Sequence, residues 1–168
     1  MTPAIQKKIC TVGSYAVGKT SLVRRFVEGI FDDRYLTNIG VKIDKKVVIA
    51  GGRTINMVVW DLAGEDAMTT LRMSHMRGAS GYILVADGCR AATLDKAVEL
   101  HQRLQEPLGA VPFVLALNKA DVLDQWEVTT QSVDRLRAAG WPVFLTSAKT
   151  GNTVEDLFLT LAQKMLAP

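Results

Sequence analysis

The sequence predicts an α/β fold, a mostly parallel six-stranded sheet with one antiparallel edge strand and helices on both faces. Three observations carry this. Short apolar runs of strand length alternate with segments whose apolar residues recur at helical spacing. Early in the chain two β-branched runs are instead separated by Gly51-Gly52, the mark of a hairpin. The first strand also passes into the first helix through Gly13-Ser14-Tyr15-Ala16-Val17-Gly18-Lys19-Thr20, where glycines let the backbone curl so that its N–H groups face one point.

The elements follow in order. Residues 7–12 form a short apolar strand, and 19–28 a helix on which Leu22, Val23, Phe26 and Val27 share a face until Gly29 stops it. The stretch 30–38 has little periodicity and reads as an exposed loop. Residues 41–50 and 54–60 are the hairpin strands, the second closed by Asp61. Up to Arg77 the chain is mixed, and Met68, Leu71, Arg72 and Met76 suggest an irregular helix, too polar for core and facing a partner. Residues 82–86 form a strand, and 93–108 a helix with Leu94, Ala97, Val98, His101 and Leu104 on one face. His101 reads as a boundary residue of that face. Residues 112–117 form a buried strand, 128–139 a helix, 142–146 a strand and 153–165 the final helix. Asn152 and Glu155 suggest a capping box there.

At 168 residues the chain fits one domain, 1–168, long enough to bury about 70% of its unfolded surface. Apolar residues make up 48% and charged residues 22%, which argues against disorder. The net charge of +3 is scattered in short pairs such as Lys7-Lys8, Arg24-Arg25 and Lys45-Lys46, so no nucleic-acid partner is expected. Cys10 and Cys89 both lie in or beside apolar runs, as buried thiols of a reducing compartment do. No apolar run approaches the ~20 residues of a membrane span and no signal-peptide core is present, so a cytoplasmic location is expected. Thr2 in place of Gly, and Met165-Leu166-Ala167-Pro168 without cysteine, predict no lipid anchor.

The chemistry gathers at the carboxyl ends of the strands, where ligands of such sheets sit. Gly13 to Thr20 matches G-x-x-x-x-G-K-[ST], a phosphate loop. Its backbone and the helix start at Ser21 face an anion, Lys19 reaches the outer phosphates, and the Thr20 hydroxyl is suited to Mg²⁺. Asp61-Leu62-Ala63-Gly64 puts a carboxylate beside that loop and a flexible N–H next to the terminal phosphate. Asp61 would reach Mg²⁺ through water, and Gly64 would sense the γ-phosphate. Asn118-Lys119-Ala120-Asp121 follows a strand, and the Asp121 carboxylate can accept two hydrogen bonds from the N1–H and exocyclic amine of guanine. Adenine lacks that donor pair, and an unpaired buried acceptor costs ~1–3 kcal/mol. Ser147-Ala148-Lys149 supplies a backbone N–H for guanine O6.

Together GxxxxGKT, WDxAG, NKxD and SAK make the chain resemble the small GTPases of the Ras superfamily. Ile39-Gly40-Val41, Trp60-Asp61-Leu62-Ala63-Gly64 and Arg77-Gly78-Ala79 resemble its Rab-like branch, over nearly the whole chain. The resemblance implies a P-loop NTPase G domain that binds GTP or GDP with Mg²⁺, hydrolyses GTP, and switches through loops 31–38 and 62–77. It also implies that Phe31 packs on guanine and that Asp33 meets the ribose.

The sequence departs from the family at the γ-phosphate. The threonine expected before Ile39 is Asn38, with Thr37 one position earlier. Asn38 can ligate through its carbonyl oxygen, or a one-residue shift brings Thr37 in. Spacing favours Asn38. Glu65 stands where a glutamine orients the attacking water, so it has no amide donor and adds charge beside an anion. Slow turnover is expected. Tyr15 replaces a small residue in mid-loop, and its ring either crowds an arginine finger supplied in trans or turns to solvent and packs on the switches.

The aromatic cluster that Rab-like proteins present to partners becomes Ile43, Trp60 and His75, an altered but still apolar surface. With no anchor signal, the pattern would suit a bacterial member. The expected molecule is a monomeric GTP-binding switch with unidentified effectors or regulators at its loops. The alternative is a non-hydrolysing guanine-nucleotide-binding interaction module.

Overall fold

The computed structural model describes residues 4–14, 16–29, 42–61 and 76–166. Strands β1 (Ile5–Gly13), β2 (Lys42–Ala50), β3 (Arg53–Asp61), β4 (Gly81–Asp87), β5 (Phe113–Asn118) and β6 (Val143–Leu145) form one sheet in the order β2-β3-β1-β4-β5-β6. All neighbours are parallel except β2 and β3, which run antiparallel with Ile43 opposite Trp60 and Ala50 opposite Arg53. Gly51 and Gly52 close this hairpin with φ 57° and 74°, the positive values that a tight primed turn demands. Since β3, β1, β4, β5 and β6 share one direction, Asp61, Gly13, Asp87, Asn118 and Leu145 end them along a single edge of the sheet.

Period-two alternation divides the core between the two faces. Ile9, Val85, Val114 and Ala116 join a cluster with Leu22, Val23 and Phe26 of α1 (Lys19–Glu28) and Leu157, Phe158 and Leu161 of α4 (Val154–Leu166). The Phe26 and Phe158 rings stack there, centroids 3.9 Å apart. Cys10, Val12, Leu84, Leu115 and Leu117 join the other cluster, with Leu94, Leu100 and Leu104 of α2 (Ala91–Leu108) and Val133 of α3 (Thr130–Ala138). Each such large side chain contributes ~1.5–3 kcal/mol by leaving water, so the sheet is fixed from both sides.

The element boundaries differ from expectation where a polar partner intervenes. Helix α2 begins at Ala91 rather than 93, its first N–H donating 2.9 Å to Glu127 Oε1. Helix α3 begins at Thr130 rather than 128. Thr129 Oγ1 caps it by accepting from the Ser132 N–H, and buried Val128 donates its N–H to Gly88 O instead. Helix α4 begins at Val154, one residue late for a box capped by Asn152. The preceding Thr153 has φ 57° and gives its hydroxyl to the Leu145 carbonyl.

Three residue expectations change as well. Met76, assigned to a polar partner-facing segment, is fully buried among Tyr82, Leu84 and their neighbours; the rest of 62–75 lies outside the described residues. His101 is buried rather than at a boundary. Its Nδ1 shares a 2.8 Å hydrogen bond with the Tyr82 hydroxyl, and its ring packs on Phe113 and Trp141. Cys10 is buried and its thiol is pushed up to about 12 by desolvation, whereas Cys89 is only half-buried. No described helix is long and apolar enough to cross a membrane.

Candidate functional site

β1 delivers the chain to the sheet edge at Gly13, and α1 starts six residues later at Lys19. Two glycines are required in between for stated reasons. A Cβ on Gly13 would lie 2.3 Å from the Val85 carbonyl oxygen, and one on Gly18 2.2 Å from Asn118 Nδ2, with Gly18 also at φ 99°. Gly18 is the N-cap of α1, so the helix points its N-terminus into the loop. Lys19 is 4% exposed and arches back over the loop, donating from Nζ to the carbonyls of Gly13 and Ser14 at 2.9 and 2.8 Å. Its charge is thereby held at the loop's mouth. Val17 is buried, Ser14, Gly18 and Ser21 are half-buried, and Ala16 is exposed at φ 60°.

One residue into α1, Thr20 Oγ1 donates 2.6 Å to Asp61 Oδ2, and Thr11 Oγ1 of β1 donates 3.1 Å to Asp61 Oδ1. Asp61 is fully buried at the end of β3. Burial raises its carboxyl above the ordinary value, against the opposing pull of Thr20, the Lys19 charge and Thr11. A buried carboxylate disfavoured in this way, bracketed by hydroxyls and beside a cationic loop, is a ready partner for a hard cation and its water.

The second half of the site is knitted to the first by Asn118 and Lys119. Asn118 Nδ2 donates 3.0 Å to Val17 O, and its Oδ1 accepts from Thr146 Oγ1 at 3.2 Å and from the Ala148 N–H at 3.3 Å. Lys119, at φ 70°, donates to Ala16 O at 3.3 Å and lies 2.9 Å from Asp87 Oδ2. Burial alone would raise the Asp87 carboxyl, but hydrogen bonds from Lys119, the Cys89 N–H and Arg90 outweigh it and hold the group below its usual range. Asp121 is exposed on the turn after β5, and Ser147 Oγ donates to its Oδ1 at 2.7 Å. Ser147 and Ala148 are buried, and Lys149 is exposed beside them.

The structure therefore brings together Gly13, Ser14, Ala16 to Thr20, Asp61, Asn118, Lys119, Asp121, Ser147 and Ala148 at one edge. Tyr15, Phe31, Asp33, Thr37, Asn38, Gly64 and Glu65 lie outside the described residues. Of the expected partner surface, Trp60 is half-buried with Lys8 Nζ 3.7 Å over its ring, Ile43 is 48% exposed on the paired strand, and His75 is not described. Thr11, Asp87 and Thr146 were not among the expected site residues. Asp87 carried a signal, since it ends an apolar strand as Asp61 does; Thr11 and Thr146 are polar residues inside strand-like runs, a weaker one.

Comparison with known proteins agrees with this geometry. The family described as "Ras family" matches residues 8–167. "Ras-related protein Rab-13" of Bos taurus is 33% identical over 161 residues, covering 95% of this chain and 79% of that protein. "Ras-related protein Rab-30" of Homo sapiens is 34% identical over 162 residues, covering 95% and 80%. "Ras-related protein Rab-21" of Mus musculus is 30% identical over 161, covering 95% and 72%. With a phosphate loop, a buried strand-end aspartate and a guanine-type motif on one edge of a six-stranded sheet, the chain belongs to the Ras family and is a guanine-nucleotide-binding small GTPase.

Proposed function

We propose that residues 1–168 form a single G domain acting as a monomeric, Mg²⁺-dependent switch that hydrolyses GTP slowly. The observation that carries it is the 2.6 Å contact between Thr20 Oγ1 and the buried Asp61 carboxylate, directly under the phosphate loop. This all-oxygen pair fits Mg²⁺, which takes few protein ligands and completes its shell with phosphate oxygens and water. Thr20 would hold the ion directly and Asp61 through a water, with Asn38 or Thr37 as the further ligand. The chemistry an ion held there would supply is positive charge to offset that of the phosphates.

The protein's own groups supply the rest. The Lys19 ammonium and the N–H groups of the loop and of Gly64 stabilise charge on the transferring phosphoryl group. Glu65 positions the attacking water. Lacking an amide donor, and anionic beside an anion, it does so weakly, and turnover is slow. Asp121, Ser147, Ala148 and Lys149 hold the base with Phe31 against it, and Asp33 meets the ribose. Loops 31–38 and 62–77 order around the γ-phosphate and present a surface that includes Ile43 and Trp60 to an effector. Single-turnover GTP hydrolysis by the wild type, Glu65→Ala and Lys19→Ala tests this. Slow phosphate release that falls further in both variants is expected. Tight nucleotide binding with no release above buffer would instead favour a static binding module.

A further inference from the structure

We infer that Arg25, in the last turn of α1, is a positioning residue for Asp121 and thereby sets how strongly the site discriminates among purine bases. The inference rests on the assignment of Asp121 to the base made above. Three hydrogen bonds link the two residues. Arg25 Nη2 donates 3.0 Å to the Thr150 carbonyl, the Thr150 N–H donates 3.1 Å to Ser147 Oγ, and Ser147 Oγ donates 2.7 Å to Asp121 Oδ1. Thr150 is thus gripped at both backbone polar groups, and each bond carries the constraint one step closer to the carboxylate.

The chain of bonds matters because of where its members lie. Asp121 is on an exposed turn, and the side-chain bond that orients it comes from Ser147, which is buried. Thr150 is exposed, on the loop between β6 and α4. That loop is closed on itself by Gly151 N–H to Ser147 O at 2.8 Å and Ser147 N–H to Asn152 O at 3.2 Å, so it moves as a unit. Arg25 is the cationic group that pins this unit to α1. The approach is close: a Cβ on Gly151 would fall 2.7 and 2.8 Å from the guanidinium nitrogens. A charge-assisted bond from a planar fork suits the task better than a flexible ammonium.

Helix α1 thus serves both ends of the bound ligand. Its first turn carries Lys19 and Thr20 at the phosphates, and its last turn holds the loop that orients the base contact. Arg25 is not needed to dock the helix, because Leu22, Val23 and the Phe26–Phe158 stack do so. Its replacement therefore leaves the fold and changes the site.

The experiment measures release of a fluorescently labelled GDP, and competition by unlabelled GDP and IDP, for the full chain and for Arg25→Gln, Arg25→Lys and Asp121→Asn. IDP lacks the exocyclic amine, so it loses less than GDP when Asp121 is no longer held. Arg25→Gln should release GDP roughly tenfold faster, the scale of one lost charge-assisted bond. Its GDP-over-IDP preference should fall several-fold, with Arg25→Lys in between. A wild-type GDP/IDP ratio in Arg25→Gln, even with faster release, would overturn the inference and leave Arg25 a packing residue. If Asp121→Asn itself kept the guanine preference, the assignment of the base site would fall and the role of Arg25 with it.

Discussion

Thr20 Oγ1 and Asp61 Oδ2 sit 2.6 Å apart although 41 residues separate them in sequence. The contact joins the helix after the phosphate loop to the end of β3, and it holds a carboxylate that burial disfavours. In the nucleotide-free protein that charge costs stability at neutral pH. The folded value lies above the unfolded one, so the native state binds the extra proton, and stability rises as pH falls from the folded toward the unfolded value. Asp61→Asn removes the charge, and the Thr20 and Thr11 hydroxyls can reorient around the amide. The variant should unfold about 2–4 °C higher without nucleotide, for about 1 kcal/mol, yet lose Mg²⁺-dependent retention of GDP by at least roughly tenfold. Calorimetry and nucleotide release with and without EDTA read the two effects; a variant less stable than wild type would remove the claim that the charge is strained.

Asp87 should matter to the site through Lys119. Its carboxylate meets Lys119 Nζ at 2.9 Å and Arg90 Nε at 3.0 Å while being nearly inaccessible itself. The cationic partners are 40% and 46% exposed, so the pairs fall between the ~0–1 kcal/mol of surface bridges and the ~3–5 kcal/mol lost on breaking a buried one. Asp87→Ala should therefore cost about 2 kcal/mol, lower the melting temperature by about 5 °C, and speed nucleotide release by freeing Lys119 from one of its holds. Since the folded carboxyl lies below the unfolded value, this contribution is full above about pH 4 and is lost as pH falls below it. An unchanged release rate would show that Ala16 O alone keeps Lys119 in place.

Base selection can be read directly. Asp121→Asn turns an acceptor pair into one acceptor and one donor, which matches the N1–H and C2 carbonyl of xanthine. GDP affinity should fall by ~2–3 kcal/mol, roughly 30- to 150-fold, while XDP affinity rises. Competition titrations against a labelled nucleotide decide it, and an unaltered order of preference would sink the role assigned to Asp121.

The fold and the phosphate-loop part of this site are legible because each rests on local signals. Alternation of strand-like and helical periodicity follows from burial on one face at a time, which is why Ile9 and Cys10 separate cleanly into the two clusters. Gly18 and Lys19 could be read because the loop's backbone geometry admits few residue types. Asp87 is marked only by its place at a strand end and Thr11 and Thr146 more weakly by polarity inside strand-like runs, while Arg25 has no local mark, since their roles arise from neighbours more than 25 residues away in sequence or from a backbone carbonyl that leaves no mark on composition. His101 is buried although it reads in the sequence as a boundary position, for the same reason. Its helical face predicts depth only roughly, and the Tyr82 hydroxyl that makes full burial tolerable comes from another element.

That buried histidine should make the fold acid-sensitive. His101 is held between Tyr82, Phe113 and Trp141, and desolvation lowers its basicity below the ordinary value of ~6.5. The unfolded chain therefore takes up the proton first, and stability is lost as pH falls from about 6.5 toward the folded value, remaining full above that window. His101→Gln can keep a hydrogen bond to Tyr82 but cannot titrate. Between pH 7.5 and 5.5 the wild-type melting temperature should fall by several degrees more than that of His101→Gln. Parallel melting curves across that range would mean that the imidazole finds room to protonate in place, and that the aromatic cage is looser than its ring distances of 4.2 and 4.6 Å imply.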